Sequence, residues 1–395
     1  MMWIFTFIKY FIIIYKFIIC LFKTINNVIN YFFNYFNKNK QINLKIISTG
    51  VYFPKKYLTN NDLIKIIDCD QLSIINKNNI ALDKFITDHY GVSGRYFSSD
   101  DETHSIMGFN ASMYALSSAN LKFTDIDCVI YASAGMDKLI PDTSVYIHQK
   151  LSEQFNHSIH NPSSFTIHSS CLSFLHALEI ANSFIKSNQY NTIMIISSEK
   201  MTMIADACDP KICTTIGDMS TAIIVGKSTQ SVQSAKYTRL TKLVDNTSQI
   251  IKSKFKTYSK KLSDNITIDF GTINLLNKRK NNQSYTIDDF VLKTKNNKEL
   301  IATIPLMILD FGNDFVSNYD YVVINQSSKI FVDYMKKIFG SNIFETFESV
   351  GNCGSCNIPY NLHKLFTLKK IKRGSKLLLI GTAAGYSVGL IELIY

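Results

Sequence analysis

The second half of this 395-residue chain repeats strand-like segments of the first half, and this repetition limits the folds open to it. The matches are DCVIYAS (127–133) with DYVVINQ (320–326) at an offset of 193 residues, SSC (169–171) with GSC (354–356) at 185, and TIMIISSE (192–199) with KLLLIGTA (376–383) at 184. Matches in one order at nearly one spacing indicate an internal duplication. We therefore predict two similar halves, residues 44–226 and 227–395, after an N-terminal extension of residues 1–43.

Buried strand patterns alternate with helical patterns through the first half. Strands are predicted at 45–53, 127–133, 164–170 and 191–199, and helices at 104–121, at 144–155 and from near Cys171 onward. Apolar strands between helices are typical of an α/β fold whose sheets are covered on both faces. Residues 228–300 are rich in Lys and Asn, and we expect solvated loops and strands there.

The N-terminal extension, residues 1–43, is apolar and basic, with five Lys and no acidic residue. Its apolar run is long enough to cross a bilayer, but Lys9, Lys16 and Lys23 recur every seven residues and would share one stripe of a helix. Three interpretations stay open: an interfacial helix with snorkelling lysines, a weak transmembrane anchor, or a helix packed on the protein body or on a partner. We expect a cytoplasmic protein that associates with a membrane through residues 1–37.

The net charge of +11 lies in two segments only. Residues 1–43 carry +5 and residues 251–300 carry +6, so the remainder is neutral. A nucleic-acid-binding protein more often carries its basic residues on a folded face, and we predict no nucleic-acid partner.

The eight cysteines are scattered, which indicates a reducing compartment rather than a disulfide scaffold. Cys353 and Cys356 form a lone CxxC motif, which is weak evidence for zinc, and we predict no metal. Cys171 is the strongest candidate nucleophile, since a thiol at a strand end and helix start meets unpaired N–H groups that lower its pKa. The alternative is a small buried apolar residue.

Two glycine-containing segments near the C-terminus, 350–359 and 381–390, stand out in a glycine-poor chain. Such turns let backbone approach a ligand closely, or they only pack tightly.

Together these segments resemble β-ketoacyl-acyl-carrier-protein synthase III, a thiolase-like condensing enzyme. The resemblance covers residues 44–395 and lies in an ordered set of short motifs: KIISTGVYFP, ITDHYGVSGRYF, ETHSIMGFNAS, SSCLSFLHAL, CDP, IGDMSTAIIVG, INQSSK, VGNCGSCNIP and GTAAGYSVG. It implies a thiolase-like α/β fold whose two duplicated halves form a layered αβαβα body, which agrees with the repeats.

The resemblance also implies site residues. Cys171 matches the family's acylated nucleophile, and Asn352 matches its catalytic Asn. Ala384 and Gly385 match a glycine loop that supplies a backbone donor to the oxyanion hole. Further matches are Phe85 and His89 to a Trp and Arg pair that binds CoA, and Lys336 and Lys337 to a lysine pair near the carrier-protein docking surface.

One catalytic position departs from the family, since Asn325 stands where the family has its His. Asn donates hydrogen bonds to an oxyanion, but it cannot accept the thiol proton. Cys171 would then ionise through the helix dipole alone or with His168, whose alternative role is that of a structural histidine.

We therefore expect an acyltransferase that takes an acyl group from acyl-CoA onto Cys171 and condenses or transfers it to a carrier-protein-bound or small acceptor. The alternative is a catalytically impaired structural partner of an intact homologue. The resemblance implies no resident cofactor, with acyl-CoA as substrate, and it implies acyl carrier protein as a partner. A homodimer or a heterodimer with a homologue is expected.

Overall fold

The computed structural model describes residues 40–66, 82–156, 161–231, 248–258, 266–294, 306–308, 310–311, 315 and 318–395. The chain divides into one compact unit of Leu44–Lys227 and Val244–Tyr395 and a second unit of which only residues 40–43 and 228–231 are described. The predicted membrane-associated segment therefore lies outside the described residues. Within the described residues, no helix is both long enough and apolar enough to cross a membrane.

Strands and helices alternate as the sequence predicts. The strands are β1 (Lys40–Tyr52), β2 (Lys56–Thr59), β3 (Gly94–Phe97), β4 (Cys128–Ala132), β5 (Ser163–Ile167), β6 (Thr192–Lys200), β7 (Asp218–Ser231), β8 (Gln249–Thr257), β9 (Ile266–Ile268), β10 (Leu292–Thr294), β11 (Tyr321–Ile324), β12 (Ile343–Phe344), β13 (Lys376–Ala383) and β14 (Ser387–Ile394). The helices are α1 (Asn60–Leu63), α2 (Leu82–Tyr90), α3 (His104–Ser118), α4 (Thr143–Gln154), α5 (Ser173–Lys186), α6 (Pro210–Cys213), α7 (Thr272–Lys280), α8 (Lys329–Phe339), α9 (Phe347–Val350) and α10 (Asn357–Thr367).

Two five-stranded sheets carry the fold, and they share one strand order. The first runs β1-β7-β6-β4-β5 and the second β8-β14-β13-β11-β12. In the first sheet β4 is parallel to β5 and β6, and β6 is antiparallel to β7. In the second sheet β11 is parallel to β12 and β13, and β13 is antiparallel to β14. This shared order confirms the predicted duplication.

The strand registers give the same offsets as the sequence. Cys128 of β4 pairs with Ile193 of β6, and Tyr321 of β11 pairs with Leu377 of β13. The equivalent residues Cys128 and Tyr321 are 193 residues apart along the chain, and the equivalent residues Ile193 and Leu377 are 184 apart. These are the spacings of the repeated strand motifs.

Two 3₁₀ turns occupy equivalent places, Ser170–Leu172 before α5 and Gly354–Cys356 before α10. Each begins on a residue with positive φ, 48° at Ser170 and 54° at Gly354. Because the turns start 184 residues apart, Cys171 is equivalent to Ser355. The match of SSC with GSC, which pairs Cys171 with Cys356, is therefore wrong by one residue.

Helix α5 lies between the two sheets. It contacts β4, β5 and β6 of the first sheet and β14 of the second. Its small and apolar side chains allow this, since Ala177, Leu178 and Ala181 are buried. Helix α3 packs against β6 and α4, so the first sheet carries helices of its own half besides α5.

The Lys- and Asn-rich stretch contributes more structure than we expected. Its strand β8 is antiparallel to β14 and completes the second sheet. Strands β9 and β10 form a separate antiparallel pair, with α7 between them in sequence. Strand β7 runs to Ser231, and residues 232–247 lie outside the described residues, so the boundary between the halves at 226 stays a prediction.

Candidate active site

Cys171 lies in the middle of the turn Ser170–Leu172, between β5 and α5. The Ser173 hydroxyl fixes this turn, since its Oγ donates to the Ser170 carbonyl at 2.7 Å and accepts from the Ser169 N–H at 2.9 Å. The next residue, Leu172, packs onto two glycines of the second sheet, because a Cβ on Gly381 or Gly389 would lie 2.6 or 3.2 Å from Leu172 Cδ2. The nucleophile turn is therefore held by both halves.

Cys171 is half-buried as a residue, and the surrounding protein raises the pKa of its thiol to about 12. Burial is the main cause, the Glu199 carboxylate adds to it, and a backbone N–H of the turn opposes it. The expectation of a lowered pKa is thus wrong. Helix α5 begins only at Ser173, so the stabilising amides are outweighed by desolvation and by a nearby negative charge.

Glu199, at the end of β6, is a site residue that the sequence analysis missed. Its side chain is buried and accepts four hydrogen bonds, from Ala134 N at 2.9 Å, Gly135 N at 3.2 Å, Ser355 N at 3.3 Å and Ser355 Oγ at 2.5 Å. This carboxylate ties the turn Gly354–Cys356 to the loop after β4. The signal was a single acidic residue at the end of the apolar run TIMIISSE.

Asn325 follows β11 and is buried, and its amide is committed to β13. Its Oδ1 accepts from Thr382 N at 2.8 Å and Thr382 Oγ1 at 3.2 Å, and its Nδ2 donates to the Thr382 carbonyl at 3.2 Å. One Nδ2 hydrogen is left for a substrate, and no lone pair of suitable basicity is left for a proton. The residue in the place of the family His is therefore a single hydrogen-bond donor.

Asn352 is held by its backbone, and its side-chain amide keeps its donors. Its N–H donates to the Thr215 carbonyl at 2.7 Å, its carbonyl accepts from Gly217 N at 3.1 Å, and its Oδ1 accepts from Gly354 N at 3.0 Å. Among the described residues, Nδ2 of Asn352 has no acceptor. The bond from Gly354 orients the amide and leaves its Nδ2 donors unused by the described residues.

Ala384 and Gly385 form the turn between β13 and β14. Gly385 has a φ of 80°, in the region that favours glycine, and a Cβ there would meet nothing within 4 Å. Neither backbone N–H has an acceptor in the described part of the chain. The turn thus offers two unpaired backbone donors, as an oxyanion site requires.

The turn that carries Cys171 contacts both β13 and the turn Gly354–Cys356. Strand β13 binds Asn325 through Thr382 and ends at the turn with Ala384, while Gly354 binds Asn352. The elements that carry Cys171, Asn325 and Asn352 therefore adjoin at the junction of the two halves.

The other predicted residues lie elsewhere or play other parts. His168 is exposed, and in the described residues no hydrogen bond joins it to Cys171, so the structure does not support it as the base. Cys353 and Cys356 are buried free thiols. The described residues contain no group of His, Cys, Asp and Glu side chains that could hold a metal ion.

Phe85 and His89 lie together on α2. Their rings stack with centroids 4.0 Å apart, and His89 Nδ1 lies 3.0 Å from the Phe85 carbonyl oxygen. One face of Phe85 is therefore covered by His89, and a nucleotide base could stack only on the other face or on His89.

Lys336 and Lys337 lie in the last turn of α8 and are exposed. Lys336 Nζ is 2.8 Å from Glu345 Oε1, whereas Lys337 has no ion-pair partner among the described residues. Only Lys337 therefore presents an unpaired charge. Helices α2 and α8 adjoin, since a Cβ on Gly91 would lie 2.9 Å from Lys329 Cβ.

Comparison with known proteins agrees with this fold. Residues 165–241 match the family model of 3-oxoacyl-(acyl-carrier-protein) synthase III, and residues 315–393 match the model of its C-terminal region. The β-ketoacyl-(acyl-carrier-protein) synthase III of Clostridium acetobutylicum is 24% identical over 357 residues, which cover 88% of this chain and 97% of that protein. The Rickettsia canadensis enzyme is 26% identical over 351 residues, covering 87% and 97%.

Solved structures share the fold. The Aquifex aeolicus 3-oxoacyl-(acyl-carrier-protein) synthase III superimposes with a TM-score of 0.70 at 24% identity, covering 89% of this chain and 100% of that one. A histidine-to-asparagine variant of Xanthomonas campestris OleA gives a TM-score of 0.69 at 17% identity, covering 89% and 98%.

Proposed function

This chain belongs to the thiolase-like condensing enzymes related to 3-oxoacyl-(acyl-carrier-protein) synthase III, and from that premise we propose that it accepts an acyl group from acyl-CoA on Cys171. The observation that carries the proposal is the junction of the two halves. There the Cys171 turn contacts β13, which ends at the turn Ala384–Gly385, and the turn Gly354–Cys356, which binds Asn352. Nucleophile and oxyanion donors on adjoining elements are the requirements of acyl transfer through a covalent thioester.

In the acylation step, the sulfur of Cys171 attacks the thioester carbon of acyl-CoA. The Cys171 proton leaves, the CoA sulfur is released when its bond to the carbon breaks, and that sulfur takes up a proton. The developing oxyanion is stabilised by backbone N–H groups of the turn Ala384–Gly385. Because burial raises the pKa of Cys171 to about 12, the thiol attacks only as its proton departs.

In the second step, the acyl group moves from Cys171 to an acceptor. Asn352 Nδ2 and the remaining Nδ2 hydrogen of Asn325 donate to the oxygen of the acceptor or of its enolate. A neutral amide stabilises an enolate less than a cationic imidazole does, because hydrogen bonds from charged donors are stronger. Transfer to an acceptor without decarboxylation therefore suits this site better than malonyl condensation.

Intact-mass measurement after incubation with acyl-CoAs of different chain lengths tests the first step. We expect a mass gain of one acyl group in the wild type and in Cys208→Ala, an exposed-cysteine control, and no gain in Cys171→Ala. Absence of a Cys171-dependent gain with every donor would overturn the proposal.

The change Asn325→His tests the second step. We expect a higher rate of CO₂ release from malonyl carrier protein, since an imidazole restores a group that can carry a proton. Unchanged CO₂ release by a variant whose Cys171 is still acylated would show that the site serves a different acceptor.

One observation favours the second candidate function, a structural partner of an intact homologue. The Asn325 amide is used to bind Thr382 and thus serves the sheet at least as much as a substrate. Native mass spectrometry of the complex isolated from its own cells distinguishes the two. A homologue in the complex supports the partner role, and self-association alone rejects it.

We further propose that Lys337 contacts an acidic carrier protein and that residues 1–37 attach the protein to a membrane surface. A basic side chain that no described carboxylate pairs suits an acidic partner, and an apolar basic segment suits anionic lipid. Weaker carrier-protein binding by Lys337→Glu than by Lys364→Glu would support the first proposal. Co-sedimentation of the full chain, but not of a chain lacking residues 1–39, with anionic vesicles would support the second.

A further inference from the structure

Arg95, on β3, is a fully buried cation without a direct ionic partner. In the described residues no carboxylate lies within ion-pair distance of it, and its Nε and Nη1 have no hydrogen-bond partner. Its two hydrogen bonds to described residues come from Nη2, to Asn60 Oδ1 at 2.6 Å and to the Thr214 carbonyl at 2.6 Å. Burial lowers its pKa to about 10, which leaves the side chain charged at neutral pH. Burying a charge costs free energy, which indicates that Arg95 has a role. The acyl-transfer steps proposed above do not involve it.

The first bond of Arg95 leads to helix α2. Asn60 is itself buried, and its Nδ2 donates to Asp83 Oδ1 at 2.9 Å and to the Val92 carbonyl at 2.9 Å. The Asn60 amide thus bridges the Asp83 carboxylate and the Arg95 guanidinium, because its Nδ2 donates to the carboxylate and its Oδ1 accepts from the guanidinium. Asp83 lies in the first turn of α2, the helix that carries Phe85 and His89.

The second bond leads to Asn352. Thr214 precedes Thr215, whose carbonyl accepts the Asn352 N–H at 2.7 Å, and Gly217 N donates back to the Asn352 carbonyl at 3.1 Å. Arg95 also packs directly on this segment, because a Cβ on Gly217 would lie 3.1 Å from Arg95 Cβ. The guanidinium therefore fixes the segment Thr214–Gly217, which holds both backbone groups of Asn352.

We propose that Arg95 is a positioning residue that joins the predicted acyl-donor helix α2 to Asn352. This inference rests on the proposed function for the roles of α2 and Asn352. The hydrogen bonds of Arg95 to Asn60 and to Thr214 do not depend on that function. Arg95 therefore acts on donor binding through α2 and on the transfer step through Asn352, while the thiol of Cys171 lies outside its network. The Cys171 turn is held separately, by Ser173 and by the packing of Leu172.

Hydrogen–deuterium exchange measures the network without any need for activity. In Arg95→Met we expect the amides of Gly217 and Asn352 to exchange about tenfold faster, because the Thr214 carbonyl and Asn60 Oδ1 lose their donor. Amides of α5 and β13 should exchange as in the wild type, and the matched control Arg373→Met should leave all of these rates unchanged. Wild-type exchange at Gly217 and Asn352 in a folded Arg95→Met protein would overturn the proposal.

A second pair of variants keeps the test valid if Arg95→Met does not fold. Arg95→Lys retains the charge with a donor that is too short for both acceptors, and it should show a smaller rise at the same amides. Asn60→Asp retains the acceptor for Arg95 but loses the donor to Asp83 and Val92, so it should speed exchange in α2 and leave Asn352 unchanged. An equal rise in amide exchange at α2 and at Asn352 in Asn60→Asp would contradict the claim that the bonds of Arg95 to Asn60 and to Thr214 act separately.

The partial reactions give the second readout. In Arg95→Met at saturating acyl-CoA, acylation of Cys171 should stay within about twofold of wild type, while transfer from Cys171 to the acceptor should fall about tenfold. Loss of acylation together with transfer in a folded variant would contradict the assignment. If the wild type is not acylated at all, the proposed function fails, and the exchange measurement still decides the role of Arg95.

Discussion

The turns Ser170–Leu172 and Gly354–Cys356 hold the same place in the two halves but differ in what they do. Both begin at positive φ and lead into a helix. The first presents the half-buried Cys171, whereas the equivalent Ser355 is buried and bonded to Glu199. The duplicated fold thus supplies one reactive turn and one turn that only holds structure.

The two turns are linked by a single carboxylate. Glu199 belongs to the first half, yet it binds Ser355 of the second and raises the pKa of Cys171. The structural turn therefore holds a charge that adds to the effect of burial on the pKa of the reactive thiol. The next four predictions test this difference, from the largest expected effect to the smallest.

Glu199→Gln removes the link between the turns. A Gln side chain has one acceptor oxygen and would present an amide N–H to a backbone N–H, so we expect a loss of about 3 kcal/mol in unfolding free energy. Loss of the negative charge should also lower the pKa of Cys171 and speed its alkylation by iodoacetamide. Urea unfolding measures the first effect, with the exposed Glu153→Gln as control, and a loss below about 1 kcal/mol would contradict the role of Glu199.

The Cys171 thiol should make the protein sensitive to alkali. Its pKa is raised to about 12 by folding, so its stabilising contribution is complete below about pH 9 and is lost as the pH rises toward 12. Between pH 9 and pH 10.5 the wild type should lose about 2 kcal/mol more unfolding free energy than Cys171→Ala does. Parallel pH profiles for the two proteins would show that the thiol is not shielded in the folded state.

Ser355→Ala alters only the structural turn. Its hydroxyl donates to a buried carboxylate that keeps three backbone donors, and we expect a loss of about 1.5 kcal/mol. Acylation of Cys171 should continue. Thermal unfolding and intact-mass measurement on the same sample check both statements, and Ser349→Ala on the exposed surface is the control. Loss of acylation would show that the second turn takes part in the chemistry.

Ser170→Gly should have the smallest effect. A non-glycine residue at a φ of 48° carries strain, and glycine removes it, so we expect a gain of about 0.5 kcal/mol after the entropy cost of glycine. The reverse change, Gly354→Ser, should destabilise by more, because its Cβ would lie 3.2 Å from the Glu199 carboxyl carbon. Chemical denaturation of both variants tests the opposite signs.

The sequence was sufficient for the fold, because strand patterns and their spacing survive in the residue order, but it did not indicate Glu199. The offsets of 193 and 184 reappear as strand registers. The raised pKa of Cys171 could not be predicted, because it depends first on burial by the folded chain and then on Glu199, which is 28 residues away in sequence. The hydrogen bonds between Asn325 and Thr382 could not be predicted for the same reason, since the two residues are 57 positions apart in sequence.

Leu172 lies against Gly381 and Gly389, so the conformation of the nucleophile turn depends on a surface that the second half provides. A chain cut within residues 232–247 would separate the thiol from that surface, although each fragment would keep its own strand set. Neither fragment alone would be competent for acylation, and mixing them would restore it at a rate set by their association. The rate of Cys171 acylation would then measure the association of two separately produced fragments.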